Sequence, residues 1–545
     1  MRQTFFVPRE PMATLTWRRS LSIGAAIVTL GVLTAFLRST PDAWPYGDEA
    51  VIQTYVLHAL RGALVQGPYS QFGWHHPGPL YFYLLAPAYA LSGQHAIGLT
   101  VGALTINLLA LWIVWWLTLR HADSVVAAVL LGALAWYVWH AQELPGSIWN
   151  PHVIVLPLAA ALVAAAAACN GDRAGMLLSI VLTSFLMQTH VSMVPIGIAL
   201  LAIVLVATIR LRGTAAAFST RSLLLAGAIG AALWLPPAID AVRTHGRNLL
   251  ALTAFFQQRG QTPDIKTALR AWSGMLAAPT MSGFHIPWGT AALTPAPPGT
   301  GAVVAGQFVA LMLSLVFARK TRQRFLSLLA ALLVMTSGLA LLSIVRIRGG
   351  IFDYQIFWLS GIGALIWGTS AAVLTTLLPN DARSSSSALT YQGLLRSLTS
   401  LLIGITSVVL VAGASLGALT TARAYAIGQQ SENVRRKDAA LAVRQVFEDR
   451  HFRRPLFTAS DNVWIDATCV VLDAYKHHPD LAVDSHLVKV FGDTLAPNGQ
   501  EDAEIVVAGP QLHEELLQRP GTVTIFTRDG LFVDVRPLKK SGNPQ

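Results

Sequence analysis

Apolar runs of about 17 residues and more, separated by short polar segments, recur along most of this 545-residue chain. In lipid every backbone N–H and C=O has to be satisfied within the chain, so such runs fold as membrane-crossing helices. At about 1.5 Å per residue, each is long enough to cross most of a hydrocarbon core about 30 Å thick. The pattern predicts about eleven spans: 20–37, 95–119, 124–140, 153–169, 175–190, 191–209, 222–240, 302–318, 325–345, 354–378 and 397–420. The pair 175–190 and 191–209 reads either as two short spans or as one kinked one. Charged residues make up only 12% of the chain, about half the usual share in soluble domains. A soluble enzyme, a disordered chain and a disulfide scaffold are thereby excluded.

The net charge of +11 carries no nucleic-acid signal, because the arginines are scattered between apolar runs instead of clustered on one face. They read as topology determinants. With the N-terminus inside, the short cytoplasmic segments hold fifteen Lys and Arg, including the run Arg319-Lys320-Thr321-Arg322-Gln323-Arg324; the much longer outer loops hold nine. Arg2, Arg9, Arg18 and Arg19 precede the first run, no small-residue cleavage site follows it, and an uncleaved signal anchor is expected there. Cys169 and Cys469 fall on opposite sides in this topology, so no disulfide between them is expected.

Two outer loops are long, 38–94 and 241–301. The first should contain a helix over Glu49–Leu64, where apolar residues recur at helical spacing, and a second, more apolar one over Gly78–Leu91 lying on or dipping into the membrane. Beyond residue 420 charge returns. Residues 421–545 predict a small α/β domain on the outer side: a helix at Ala424–Arg450, a strand at Pro455–Ala459, a helix at Asn462–His477, strands near Leu481–Phe491 and Glu504–Ala508, a short helix near Leu512–Gln518 and a hairpin at Thr522–Val535. The hairpin turns on Arg528-Asp529-Gly530. The fold class expected is therefore an all-α polytopic membrane domain, 1–420, followed by an extracytoplasmic α/β domain, 421–545.

The span interiors hold almost no ionisable residue and the chain shows no internal repeat, which argues against an ion-coupled transporter. Ionisable groups collect instead at the outer ends of the spans, among them Asp48, Glu49, His75, His76, His190, Arg243, Arg346 and Arg348. They predict one polar site at the outer membrane–water boundary.

Within that set, Tyr46-Gly47-Asp48-Glu49-Ala50 is followed about 25 residues later by His75-His76-Pro77-Gly78-Pro79-Leu80-Tyr81. An acidic pair in the first outer loop, then a His-Pro and aromatic-rich stretch, resembles the GT-C glycosyltransferases, in particular the bacterial protein mannosyltransferase and aminoarabinose transferase type. Ser147-Ile148-Trp149-Asn150-Pro151-His152, Gln188-Thr189-His190 and Trp234-Leu235-Pro236-Pro237 are similar to outer-end segments of the same group. The likeness spans roughly residues 20–420. It implies a multi-pass enzyme of the bacterial inner membrane that moves a sugar from a polyprenyl-phosphate carrier to a lipid, glycan or protein acceptor on the outer face. It also implies that Asp48 is the catalytic base.

The chemistry agrees with that assignment. An acceptor hydroxyl needs a base within hydrogen-bond reach, and one carboxylate suffices for an inverting displacement. Glu49 is the secondary candidate. The departing lipid phosphate needs cations, for which arginine's planar fork is suited. Arg346 and Arg348, followed by Gly349-Gly350, are the first candidates and Arg243 a rival. His75, His76 and His190 are candidates for holding donor or acceptor. A monophosphate leaving group requires no cofactor. A divalent metal could assist, and its identity is left unknown because no ligand spacing of the HExxH kind occurs. Three rival readings stay open on sequence: a transporter or flippase, an envelope scaffold without catalysis, and a polymerase or ligase using a diphosphate-linked donor.

Overall fold

The computed structural model describes residues 33–211, 218–258, 260–287, 293–377 and 386–538, with side chains of 386–396 and 431–432 left aside. The expected signal anchor lies mostly outside the described residues. The helices are α1 (Asp48–Leu60), α2 (Leu80–Leu91), α3 (Ile97–His121), α4 (Ser124–His140), α5 (Val155–Cys169), α6 (Arg173–Thr189), α7 (Met193–Leu211), α8 (Thr220–Arg243), α9 (Arg247–Gln257), α10 (Ile265–Ala277), α11 (Thr300–Lys320), α12 (Arg324–Val345), α13 (Trp358–Leu377) and α14 (Ser386–Glu432). Among the described residues eight helices are long and apolar enough to cross a membrane, and α4 and α6 are apolar helices of 17 residues. Each of the ten spans expected after the first thus has its helix. The chain is a multi-pass membrane protein.

The doubtful stretch 175–209 is two helices, α6 and α7, separated at His190–Ser192. The bundle is built around α5, whose sequence Val155–Cys169 is mostly alanine. Every residue of its most apolar window is buried, against 11% for α8. Small side chains let neighbours approach closely, the usual way helices associate where lipid is as apolar as leucine. A side-chain carbon on Gly175 of α6 would lie 2.7 Å from the Ala168 backbone nitrogen and 2.9 Å from the Ala164 carbonyl oxygen, so that glycine sets the α5–α6 approach.

α1 and α2 correspond to the two helices expected in the first outer loop. α2 packs on α1 and α3 and leaves Leu84 and Leu91 exposed on its other face. α1 is buried nearly all round, between α2 and the C-terminal region. α14 runs unbroken through residue 420 to Glu432, and α15 (Val434–Arg450) follows.

The C-terminal region then continues with β1 (Pro455–Ala459), α16 (Trp464–His477), β2 (Ala482–Val483), α17 (Ser485–Phe491), β3 (Ala503–Ala508), α18 (Pro510–Leu517), β4 (Val523–Arg528) and β5 (Leu531–Pro537). Its sheet order is β2-β1-β3-β5-β4; β1 runs parallel to β2 and β3, while β5 is antiparallel to β3 and β4. Two expectations are corrected. Ala424–Arg450 is not one helix, its first part continuing α14 and α15 starting only at Val434. Leu481–Phe491 is not a strand throughout, since pairing stops at Val483 and Asp484 caps α17 by accepting the Leu487 N–H at 2.8 Å. The run of alternating apolar residues after it fits either period over so short a length. Asp466 and Asp473, acids without a motif in the sequence, pair with Arg435, Arg436 and Arg444 and fasten α16 to α15.

Candidate active site

Four of the five sequence strings quoted above for the resemblance meet at one turn. Gly78 N–H donates to the Gln188 carbonyl at 3.2 Å and Leu80 N–H to the Gln188 side chain at 3.3 Å. Gln188 Nε2 donates in turn to Leu233 O at 2.8 Å, beside the Trp234-Leu235-Pro236-Pro237 stretch. Asn150 Nδ2 reaches Thr189 O at 3.3 Å. A side-chain carbon on Gly78 would lie 2.7 Å from both the Gln188 amide carbon and the Pro237 ring. These contacts fix the His-Pro-Gly-Pro segment against the turn between α6 and α7.

The segment borders a cavity of about 1740 Å³. Asp48, at the start of α1, faces it. Gly47 before it has φ of +58°, a conformation easy only for glycine, and its N–H donates to Thr468 Oγ1 of α16 at 2.7 Å. The Asp48 carboxylate accepts from the Tyr69 hydroxyl and from Trp149 Nε1 at 3.0 Å. Burial, and then the Asp48 charge, hold the Tyr69 phenol well above its ordinary range, so it stays a donor. Glu49 accepts from Tyr425 of α14 at 2.9 Å. Burial raises its pKa, the Tyr425 hydrogen bond opposes this, and Asp48 adds to the rise.

Arg346, just past α12, also lines the cavity, and its guanidinium pairs with no group among the described residues. Arg348 lines it too but is engaged: its guanidinium donates to Phe256 O at 2.8 Å and sits 5.5 Å from the Phe255 ring centre. The cavity wall continues down α12 through Leu339, Leu342 and Ser343 into the membrane-spanning stretch. One end is therefore polar and the other apolar.

His76 and His190 are in the wall, with ring centres 4.8 Å apart in a near-parallel stack. Burial lowers the pKa of both, that of His190 to about 4; the neighbouring imidazoles lower His76 further. His75 lies behind the wall: its backbone pairs with the Asn248 amide at 2.8 and 3.0 Å, and its Nδ1 lies 3.3 Å from the Tyr55 hydroxyl. Arg243 is exposed at the end of α8, away from the lining. Of the eight candidate residues, six surround one cavity and these two do not.

Sequence reading left out Tyr69, Trp149, Tyr354 and Tyr425 as site residues, and Trp464, Ile465, His486 and Lys489 from the C-terminal region, all of which line the cavity. Only Trp149 stood in a quoted string. Among the described residues no group of three His, Cys, Asp or Glu is placed to hold a metal ion.

A helical bundle with a polar cavity at one end of its spans, roofed by a mixed α/β region, is also the fold of known structures. The chain is similar to ArnT from Cupriavidus metallidurans bound to undecaprenyl phosphate: 14% identity, TM-score 0.50, 96% of this chain and 99% of that one. The same protein in the apo state gives 14% identity and a TM-score of 0.51, over 98% and 100%. This likeness shows the fold. No protein-family model and no curated protein matches the chain.

Proposed function

We propose that this protein is an integral membrane glycosyltransferase that moves a sugar from a polyprenyl-phosphate carrier to an acceptor at the outer face of the membrane. The observation that carries the reading is the Asp48 carboxylate, oriented by Tyr69 and Trp149 at the polar end of a cavity whose other end is apolar span surface, with the cation Arg346 between water and lipid. The similar ArnT structure with bound undecaprenyl phosphate supports the same class of donor.

In this mechanism the lipid tail lies along Leu339 and Leu342 and the phosphate is held by Arg346, with Arg348 beside it. The acceptor hydroxyl gives its proton to Asp48 as its oxygen forms a bond to the anomeric carbon. The bond from that carbon to the phosphate oxygen breaks, and its electron pair leaves with polyprenyl phosphate. One displacement inverts the anomeric centre. Fixed cations at the leaving oxygen act where charge develops, which is the most effective place for them. Glu49 is a second carboxyl at the acceptor side. The arginines at the ends of the spans opposite the cavity, including Arg120, Arg173, Arg319 and Arg324, support an orientation with the cavity outside.

The test is release of polyprenyl phosphate by purified protein in nanodiscs, from a panel of polyprenyl-phosphate sugars with envelope extract as acceptor source. Asp48→Asn is expected to cut release at least about 10²-fold, the scale of a lost general base. Equal release by both proteins would remove Asp48 from the role. No release from any donor would overturn the donor class.

A further inference from the structure

The stacked imidazoles of His76 and His190 have an orientation that hydrogen bonding determines. The Val191 N–H donates to His76 Nδ1 at 2.9 Å. A backbone N–H can only donate, so Nδ1 of His76 carries no proton and, in the neutral ring, Nε2 does. At His190, Nδ1 lies 2.7 Å from Ser192 Oγ and receives the Ser192 N–H at 3.4 Å. The same tautomer follows. Both Nδ1 edges therefore face two consecutive amides of one tight turn, and with the planes only 27° apart both Nε2–H edges point away from it together. Among the described residues neither Nε2 has a protein partner, and neither is fully buried in the wall of the cavity that both residues line. Burial keeps both rings neutral near pH 7.

We infer that His76 and His190 form a two-donor clamp that reads acceptor oxygens on the transferred sugar and rejects a protonated amine at that edge. The inference rests on the donor-sugar reading of the cavity. The pair offers hydrogens and no lone pair, so a hydroxyl, ring or carbonyl oxygen is satisfied there, whereas an ammonium group meets donor against donor and stays unpaired in a desolvated wall. A site built this way discriminates through the unpaired group it leaves in the wrong complex. The phosphate has its own cation in Arg346, so the clamp is free for the sugar. This separates the chain from an enzyme whose sugar carries an amine.

Equilibrium binding of three probes to the full chain in nanodiscs tests this: undecaprenyl-phosphate arabinose, the same compound with a 4-amino group in place of the 4-hydroxyl, and undecaprenyl phosphate alone. The wild type is expected to prefer the hydroxyl sugar about tenfold or more, the scale of one hydrogen bond that is gained or left unmade. His76→Asn and His190→Asn keep an acceptor for the turn amides but withdraw the donor from the cavity. They are expected to erase the preference while binding undecaprenyl phosphate as before. His76→Gln, which returns a donor near the Nε2 position, is expected to restore part of it. An amino-sugar preference in the wild type, or an equal loss of sugar and plain phosphate binding in the Asn variants, would overturn the clamp. Failure of the wild type to bind undecaprenyl phosphate at all would bring down the donor reading and the clamp with it.

Discussion

At the scale of single residues, the site sets two carboxyl groups side by side and treats them differently. Asp48 accepts from a phenol and an indole, while Glu49 turns to Tyr425. Trp149→Phe retains an aromatic ring against Tyr354, 5.2 Å away, but removes the donor at 3.0 Å from Asp48. Hydrogen bonds to charged groups contribute about 1.5–3 kcal/mol, so polyprenyl-phosphate release is expected to fall about tenfold or more with donor affinity little changed. Glu49 gives a stability test. Its folded pKa is raised by burial above the ordinary 4.5. As pH climbs past that value the unfolded chain gives up its proton first, so the wild type loses stability from there up to the raised pKa. Glu49→Gln has no proton to lose. Its melting temperature in detergent is expected to match wild type near pH 4 and exceed it at pH 7; an unchanged difference across that window would refute the assignment. Little of this was legible in sequence. Asp48 and Glu49 stood out as an acidic pair beside a span, but Trp149 lies 101 positions away and Tyr425 is 376 from its partner. Contacts at such separations leave no periodic trace, and a phenol or indole reads in sequence as one more apolar residue.

At the scale of elements, hydropathy carried most of the information, because in lipid the backbone has one helical solution. The spans and the order of β1, α16, β3, α18 and the β4–β5 hairpin were readable for that reason and from turn chemistry. Ser485–Phe491 was not, since seven residues are too few to separate a period of 2 from 3.6. Nor was the closeness of α5 and α6, which depends on which face of an alanine-rich helix meets Gly175. Gly175→Ala places its methyl within 3 Å of backbone atoms that cannot turn aside. Overpacking of this kind costs about 1–3 kcal/mol, and a lower melting temperature with unchanged affinity for polyprenyl phosphate is the expected result. A melting temperature equal to wild type would mean that α5 and α6 separate at no cost.

At the scale of the whole molecule, the cavity is completed by the C-terminal region, and the joint is polar. Thr468 receives the Gly47 N–H, Tyr55 donates to Val490 O at 3.1 Å, Gln66 pairs with Asp493, and Arg61 donates to Tyr475 O at 3.3 Å. Lys476 of α16 reaches Asp42 at 2.5 Å, its side chain only 13% exposed. Burial works against the Lys476 charge, but Tyr89 and Asp42 outweigh it, and the ammonium pKa is raised. A buried pair stripped of one member leaves an uncompensated charge, at a cost of about 3–5 kcal/mol when both groups are dry. Asp42 keeps a 35% exposed side chain and can be rehydrated, so Lys476→Met should cost well below that range. The consequence should be local to the joint. α16 carries the threonine that receives Gly47, the residue directly before Asp48, and α17 hangs from Tyr55 through Val490. Loosening Lys476 should therefore speed amide exchange over 464–477 and 485–491 and lower polyprenyl-phosphate release, while exchange in α5 stays at the wild-type rate. Faster exchange in the C-terminal helices without loss of release would show that the roof is not needed to hold Asp48 in place.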